Sequence, residues 1–314
     1  MRVSVLLPVF NAEQTLPAAV ESILGQSFAD FELILIDDGS RDGSPDLIRA
    51  YARRDARVRG VINPENAGLI RRLNEGLSLA QSPLVARMDS DDEALPERLR
   101  VQVDFMGRHP DVAAAGSWVF HMGATPEWDR LVRLPYTGKQ IAQTLPRENC
   151  LYHPSVILRR DLVLKSGGYR AQFPHAEDYE LWLRLSRHHR LANITQPLLR
   201  YRLSHGGVTF SKRWDLLRSV YLAQESFQHP EQPIDQLAQA AEARLASTHR
   251  SKFFANVVRS SVEELVLLRR WEDARTLIEK CRAEIPASLA TELRAQVKSE
   301  EEASAVMARA PIAP

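Results

Sequence analysis

Three aspartates and a glutamate stand close together after a short apolar run, at Asp89, Asp91, Asp92 and Glu93. Carboxylates this close repel one another, so a partner that offsets their charge is expected. A divalent cation is one candidate, because Mg²⁺ and Mn²⁺ prefer carboxylate oxygens. A helix start is the other, because acids suit the positive end of a helix and Pro96 suits its first turn. Asp89 fits the helix start poorly, since it directly ends the apolar segment before it.

The first hundred residues alternate between strand-like and helix-like segments, and these must position the acids. The apolar runs VSVLLPVF (3–10) and FELILI (31–36) predict buried strands, and TLPAAVESILGQ (15–26) predicts a helix capped by Thr15. Such a βαβ unit requires parallel strands. Helices near 44–54 and 69–80 and strands near 58–62 and 83–88 continue the pattern. We predict an α/β fold with a mostly parallel, Rossmann-like sheet and flanking helices.

Polar segments follow each of the first four predicted strands. They are Asn11, DDGSRDGS (37–44), NPENAG (63–68) and DSDD (89–92). In parallel sheets, ligands bind outside the carboxyl ends of the strands, and acids from two neighbouring strands converge there. Helix capping alone would not require that convergence, so a functional site at this edge is favoured. For Asp37 a tight turn that caps the next helix remains the open alternative.

The rest of the chain divides into a second α/β stretch and a helical region. Strands are predicted at 112–120, 153–161 and 192–203, with a turn at 165–170 and a helix at 176–189. Beyond about residue 210 the chain is rich in Ala, Leu, Glu and Arg and nearly free of Gly, which predicts an all-helical appendage. We therefore expect one domain over 1–210, with halves 1–110 and 111–210, and a helical region over 211–314.

Composition and motifs limit the class of function. With 41 basic and 40 acidic residues the net charge is +1, which gives no support for nucleic-acid binding. The two cysteines form no ligand pattern, and no apolar run is long enough to span a bilayer. We expect a cytoplasmic protein, with peripheral contact at the inner face of the membrane and a homo-oligomer left open. Neither G-x-G-x-x-G nor a P-loop follows the first strand.

Six stretches carry a resemblance to a known family. The chain from about 1 to 208 resembles the inverting glycosyltransferases of family 2, which have the GT-A fold of nucleotide-diphosphosugar transferases. The matching stretches, in order, are VSVLLPVFNAEQTLPAAVESILGQSF, FELILIDDGSRDGS, NAGLIRRLNEGL, ARMDSDDEALPERLRVQVDFM, HPSVILRR and GGYRAQFPHAEDYELWLRL. The resemblance implies transfer of a sugar from a nucleoside diphosphate, with UDP expected, to a hydroxyl of a saccharide or lipid-linked saccharide in cell-surface polysaccharide assembly.

The resemblance also implies roles on the donor side. DSD at 89–91 is then the DXD motif, with Asp91 contacting Mn²⁺ or Mg²⁺ and Asp89 reaching the ribose, or the metal through water. Asp38 accepts a hydrogen bond from the base, supported by Asp37. The remaining donor-side residues are Ser90, the backbone at Pro8 and Val9, Arg71 at the base or diphosphate (a solvated helix charge being equally open), and His205 at the metal or diphosphate.

On the acceptor side, Asp178 of AEDYELW is the implied catalytic base, because inversion needs one carboxylate to take the proton of the attacking hydroxyl. Glu177 is its acceptor-orienting or structural neighbour, and His153 flanks the same side. Trp182 either stacks on a sugar or belongs to the core. Asp92, Glu93 and Pro96 keep the role of starting the next helix.

Two other classes of protein are weighed against this interpretation. An inactive sugar-nucleotide-binding or scaffold protein that works through its helical tail is the first. The retained DSD and ED acids argue against it. A nucleotidyltransferase on a related sheet is the second, and it would need a Gly-rich loop with a basic residue after the first strand, which this chain lacks.

Overall fold

The computed structural model describes residues 3–123, 125–126, 129–202, 210–248, 250–282 and 285–309. The strands are β1 (Val3–Val9), β2 (Phe31–Asp38), β3 (Val58–Asn63), β4 (Leu84–Arg87), β5 (Glu93–Ala94), β6 (Val112–His121), β7 (Arg130–Val132), β8 (Ile157–Arg159) and β9 (Arg190–Tyr201). The helices of the α/β part are α1 (Leu16–Leu24), α2 (Ser44–Arg54), α3 (Leu69–Leu79), α4 (Arg98–Arg108), α5 (Gly138–Thr144), α6 (Arg160–Lys165) and α7 (Glu177–Ser186). Within the described ranges, five further helices follow: α8 (Phe210–Gln228), α9 (Ile234–Ser247), α10 (Arg250–Leu267), α11 (Trp271–Lys280) and α12 (Ala287–Arg309).

All of the strands belong to one sheet with the order β3-β2-β1-β4-β8-β6-β9-β5, and β7 pairs with β6. Strands β1 to β4 are mutually parallel, as the βαβ pattern predicts. Strand β8 runs antiparallel between β4 and β6, whereas β6 and β9 are parallel to each other. The sheet is therefore parallel in its first half and mixed in its second. The mixed half could not be read from the apolar runs, because both kinds of buried strand look alike in sequence.

The central strands are apolar because helices cover both faces of the sheet. Successive residues of a strand point to opposite faces. Leu6 and Ile36 accordingly belong to one apolar cluster, and Val5, Leu7 and Leu35 belong to the other. This burial fixes the register, because a slip of one residue would exchange the two faces. The polar residues after each strand consequently reach the same edge of the sheet.

The segment after the acidic cluster differs from the prediction. Helix α4 begins at Arg98, so Asp92, Glu93 and Pro96 do not start it. Glu93 instead opens the short strand β5, which pairs antiparallel with β9. Pairing with a distant strand is a tertiary interaction that local helix-start signals do not contain. The predicted strand at 153–161 is likewise shorter, because a 3₁₀ turn occupies His153–Ser155 before β8.

The helices after β9 pack in two different ways. Leu222 and Ala223 of α8 and Ala241 of α9 join the apolar cluster on the α7 side of the sheet. Helices α10, α11 and α12 form a separate apolar cluster that includes Val262 and Leu293. Among the described residues, no helix combines the length and the apolar character needed to cross a bilayer.

Two helical glycines allow a test of this packing with one type of substitution. A Cβ at Gly76 of α3 would overlap Cδ1 of the buried Leu6 and lie 2.7 Å from its Cδ2, whereas a Cβ at Gly107 of α4 meets nothing within 4 Å. Overpacking costs about 1–3 kcal/mol, and alanine favours an open helical site by up to about 1 kcal/mol. We expect Gly76→Ala to lower the thermal unfolding midpoint and Gly107→Ala to leave it equal or higher. Equal shifts in parallel calorimetric scans would contradict the close contact of α3 with β1.

Candidate active site

A cleft of about 280 Å³ opens at the carboxyl ends of β1, β2 and β4. Its presence at this edge follows from the parallel half of the sheet, where loops after neighbouring strands leave a crevice. The cleft is lined by Pro8, Val9, Phe10, Asp38, Asn66, Gly68, Leu69, Arg72, Asp89 and Ser90. Five of the residues predicted for the donor side therefore line one cleft, namely Pro8, Val9, Asp38, Asp89 and Ser90.

Asp38 is held in this cleft by a buried ion pair. Its Oδ1 accepts hydrogen bonds from Nε of Arg72 at 2.7 Å and from the backbone N–H of Ala67 at 2.8 Å. Its Oδ2 accepts one bond, from the N–H of Gly68 at 3.0 Å. The Arg72 side chain is only 6% exposed, so the pair is desolvated and each charge depends on the other. Oδ2, with one donor, retains acceptor capacity.

Asp37 forms the tight turn that follows β2. Its Oδ2 accepts from the N–H groups of Gly39 at 3.0 Å and Ser40 at 3.1 Å, and Gly39 has a positive φ of 73°. Asp37 is not among the residues that line the cleft, and its support of Asp38 in binding the base stays a prediction. What the geometry supports is its role in shaping the loop beside Asp38.

Arg71 is not among the residues that line the cleft, whereas the neighbouring Arg72 is, and the exposed position of Arg71 fits the solvated helix charge that the sequence left open. Arg71 is exposed and lines a separate depression on α3, beside Asn74 and Ser78. Consecutive helical residues point about 100° apart, so a shift of one position changes the face. The available signal was the buried stripe of α3, in which Arg72 precedes Leu73 and stands one turn before Gly76.

The acids after β4 form a compact cluster. Carboxylate oxygens of Asp89, Asp91 and Asp92 lie within 4.8 Å of one another. Arg87 holds Asp89 with both terminal nitrogens, at 2.6 Å and 2.5 Å. Burial and the charge of Asp89 raise the pKa of Asp91 to about 6. The same two causes, in the same order, raise the pKa of Asp92 well above its ordinary value.

The cluster fits a divalent cation. Asp92 is 1% exposed, and its Oδ1 accepts from the backbone N–H of Arg202 at 2.7 Å. Its Oδ2 has no hydrogen-bond partner among the residues that the structure describes. A buried carboxylate oxygen without a partner is costly unless a cation satisfies it. Asp91 and Asp89 offer further hard oxygen donors of the kind that Mg²⁺ and Mn²⁺ prefer. His205, predicted as an additional ligand, lies outside the described residues.

Asp178 lies in the first turn of α7, the helix that precedes β9 in the mixed half of the sheet. Its Oδ1 accepts from the N–H of Tyr179 at 2.7 Å, and its Oδ2 accepts from Nδ2 of Asn149 at 2.8 Å. Ala176, not Asp178, is the N-cap of α7. Burial raises the pKa of Asp178, while these hydrogen bonds and the charge of Arg87 oppose the rise. The residue as a whole is half-buried.

Glu177 stands beside Asp178 and is 5% exposed. Burial first, and the charge of Asp178 second, raise its pKa to about 7. Arg87 opposes this rise and Asp89 adds to it, so the acids after β4 and the acids of α7 share one electrostatic environment. Its predicted role in orienting an acceptor stays a prediction.

Two residues predicted for the acceptor side belong to the core. Trp182 is 0% exposed, so its ring offers no face to a sugar. His153 is buried, its Nε2 is bonded to the hydroxyl of Tyr169 at 2.9 Å, and its ring stands edge-on to Trp182. Trp182 lies on the same helix as Asp178, as the spacing predicts, but its side chain packs in the apolar cluster.

Comparison with known proteins shows the family. The profile of the family "Glycosyl transferase family 2" matches residues 4–167, and the chain belongs to this family. The amylovoran biosynthesis glycosyltransferase AmsE of Erwinia amylovora is 35% identical over 222 residues, which cover 69% of this chain and 82% of that protein. The O-antigen biosynthesis glycosyltransferase WbnJ of Escherichia coli is 32% identical, over 64% of this chain and 79% of that protein.

Solved structures show the same architecture. S. aureus TarS 1–349 in complex with UDP-GlcNAc has a TM-score of 0.60 at 17% identity, covering 96% of this chain and 88% of that one. The mannosyltransferase PcManGT from Pyrobaculum calidifontis, in complex with GDP-Man and Mn²⁺, has a TM-score of 0.57 at 16% identity, covering 94% and 79%. The fold is the GT-A fold, followed by a helical C-terminal region, as the sequence predicts.

The neighbouring arginines of α3 provide a matched test of the buried ion pair. Arg72→Met removes the partner of the buried Asp38, whereas Arg71→Met removes an exposed charge from the other face. Breaking a buried pair on one side costs about 3–5 kcal/mol, and surface changes stay within about 0.5 kcal/mol. We expect Arg72→Met to lower the free energy of unfolding in urea by about 3 kcal/mol and Arg71→Met to leave it nearly unchanged. Equal losses would refute the assignment.

The raised pKa of Glu177 makes stability depend on pH in a defined direction. A carboxyl whose folded-state pKa lies above its unfolded value destabilises the fold as it ionises, from its ordinary range up to about pH 7. Removing that charge should therefore stabilise the protein at high pH only. We expect Glu177→Gln to match the wild type near pH 4.5 and to melt at a higher temperature at pH 8, measured in chelator. A melting difference that is independent of pH would contradict the burial of this charge.

Proposed function

We propose that the chain is an inverting, metal-dependent glycosyltransferase that uses a UDP-sugar and glycosylates a hydroxyl of a saccharide or lipid-linked saccharide. The observation that carries the proposal is the joint placement of a cleft with Asp38, a three-acid cluster and a half-buried carboxylate on α7. Arg87 acts on the pKa values of both α7 acids and Asp89 acts on that of Glu177, which supports treating both parts as one site.

The donor is expected in the cleft after β1 and β2. Oδ2 of Asp38 can accept the imide N–H of a uracil, and the bond from Arg72 to Oδ1 holds the carboxyl group in place. Pro8 and Val9 line the same cleft, as do Asp89 and Ser90, and Asp89 also belongs to the acid cluster. The TarS structures in complex with UDP and with UDP-GlcNAc support a uridine donor, while PcManGT was solved with GDP-Man.

Asp91 is the expected ligand for Mn²⁺ or Mg²⁺, with Asp89 in direct or water-mediated contact and Asp92 beneath them. A bound divalent cation supplies charge stabilisation to the departing diphosphate. The chain itself contributes the geometry, because Arg87 fixes Asp89 and the backbone of Arg202 fixes Asp92. The Mn²⁺ in the structure of PcManGT supports this choice of ion.

Asp178 is the proposed general base. The acceptor hydroxyl attacks the anomeric carbon, Asp178 takes its proton, and the bond to the diphosphate oxygen breaks as the new glycosidic bond forms. One displacement inverts the anomeric configuration, so no enzyme nucleophile is needed. The names of the relatives, which refer to amylovoran and O-antigen biosynthesis, support a surface polysaccharide or its lipid-linked precursor as acceptor.

The decisive experiment compares Asp178→Asn with the wild type. General-base catalysis contributes about 10²- to 10⁴-fold, so we expect UDP release and sugar transfer to fall by that factor with nucleotide affinity unchanged. Release of UDP from a panel of UDP-sugars with Mn²⁺ measures turnover, and calorimetry with UDP measures affinity. Asp161→Asn, on the exposed surface of α6, is the matched control.

Three outcomes of this experiment would contradict the proposal. Undiminished turnover in Asp178→Asn removes the base. Full turnover after exhaustive chelation removes the metal role of Asp91. Binding of UDP-sugars with no turnover in the presence of lipid-linked and free saccharide acceptors favours an inactive binding protein.

A further inference from the structure

The segment between α5 and the 3₁₀ turn at His153 carries one exposed side chain that reaches the site. Asn149 donates from Nδ2 to Oδ2 of Asp178 at 2.8 Å, and its own Oδ1 accepts from the N–H of Leu151 at 3.2 Å. Among the described residues, no other side chain is bonded to Asp178.

These two bonds fix which way the amide of Asn149 points. Exchanging its oxygen and nitrogen would set Oδ1 against the carboxylate of Asp178 and two N–H groups against each other at Leu151. The donor therefore faces Asp178. A neutral donor that bonds the ionised form of a carboxylate favours that form, which is the form a general base needs.

The backbone on both sides of Asn149 is tied to other elements. Tyr179 of α7 donates from its hydroxyl to the carbonyl of Leu145 at 2.7 Å. Asn193 of β9 donates to the carbonyl of Cys150 at 2.8 Å. Leu145 and Cys150 are themselves buried in the apolar cluster. Asn149 is thus an exposed side chain on an anchored backbone.

Helix α8 supplies a further tie. Nε2 of the buried Gln224 donates to the carbonyl of Arg147 at 2.7 Å and to the hydroxyl of Tyr179 at 3.2 Å. One amide therefore joins the segment that carries Asn149 to the helix that carries Asp178. The C-terminal helical region reaches the proposed base through this contact.

We propose that Asn149 is a positioning residue for the proposed base Asp178, and that Gln224 of α8 holds the Asn149 segment in place. The inference rests on the proposed function, in which Asp178 deprotonates the acceptor. Asn149 fixes the direction of one carboxylate oxygen and stabilises its charge, while the second oxygen is held by the backbone of Tyr179. Asn149 itself touches neither substrate nor metal in this scheme.

The other ionisable groups that act on Asp178 remain in place in the variants used to test this. They are Glu177 beside it on α7, Arg87 at the end of β4 and Tyr169 after α6. Arg87 opposes the rise that burial causes in the pKa of Asp178, and the charge of Asp178 helps to raise the pKa of Glu177. A change in the pKa of Asp178 can therefore be attributed to the substitution at Asn149, because these three groups are not altered.

The test compares Asn149→Asp with Asn149→Ala in the full chain. Aspartate keeps an acceptor for the N–H of Leu151 but replaces the donor with a second negative charge, whereas alanine loses both bonds. The pKa of the Asp178 carboxyl is measured by ¹³C NMR titration, with its signal assigned through Asp178→Asn. We expect a rise of about one unit in Asn149→Ala and a larger rise in Asn149→Asp, with Asn149→Asp melting close to the wild type.

Turnover provides the second readout. UDP release from the UDP-sugar that the wild type uses best should fall about tenfold in Asn149→Ala and further in Asn149→Asp, with KM unchanged. The acidic limb of the pH–rate profile should shift to higher pH in both variants. A role confined to the turn at Leu151 predicts the opposite order, with Asn149→Asp like the wild type. That order, or an unchanged pKa of Asp178 in Asn149→Asp, overturns the proposal.

Gln224→Met tests the contribution of α8, with Gln228→Met one turn later and exposed as its control. We expect a smaller rise in the pKa of Asp178 for Gln224→Met and none for Gln228→Met. Identical pKa values for the two variants would refute the claim that Gln224 of α8 holds the Asn149 segment in place. Because the NMR titration needs no turnover, a wild type that cannot use any UDP-sugar refutes the proposed function alone.

Discussion

The guanidinium of Arg87 is the charge on which the acids of both halves of the site depend. It is 3% exposed at the end of β4, where pairing with β1 places it opposite Leu6. From there it bonds Asp89 and opposes the rise that burial causes in the pKa values of the acids on both sides, Asp91, Asp92, Glu177 and Asp178. Charges interact strongly where water is excluded, so one buried cation offsets several carboxylates that water can no longer solvate.

The donor half of the site was readable from sequence because its position follows from local pattern. Apolar runs separated by helical segments imply parallel strands, and parallel strands bring the residues that follow them to one edge. Pro8, Asp38, Asp89 and Ser90 therefore line the cleft that the alternation predicted. The resemblance to a family added roles, but the strand ends alone indicated which residues to consider.

What sequence could not supply is the set of contacts made across long distances in the chain. The apolar stripe of α3 places Arg72 on the buried face, but nothing near it in sequence indicates that its partner is Asp38. The helix-start signals at Asp92 were outweighed by pairing of β5 with β9. The helical spacing of Trp182 favoured a core residue over a sugar-stacking one, and its side chain is fully buried. The local hydrogen bond from the N–H of Leu151 would by itself explain an asparagine at position 149, so the sequence gives no sign of its contact with Asp178.

The separate apolar cluster of α10, α11 and α12 has a consequence for how the chain holds together. Its buried residues, which include Val262, Ile278 and Leu293, belong to neither of the clusters that sandwich the sheet, and Trp214 of α8 meets Phe253 of α10 through a ring contact. Regions with their own core open and close as individual foldons. Local unfolding of these three helices should therefore cost the α/β part little stability. Helices α8 and α9 share an apolar cluster with the sheet and should unfold together with it.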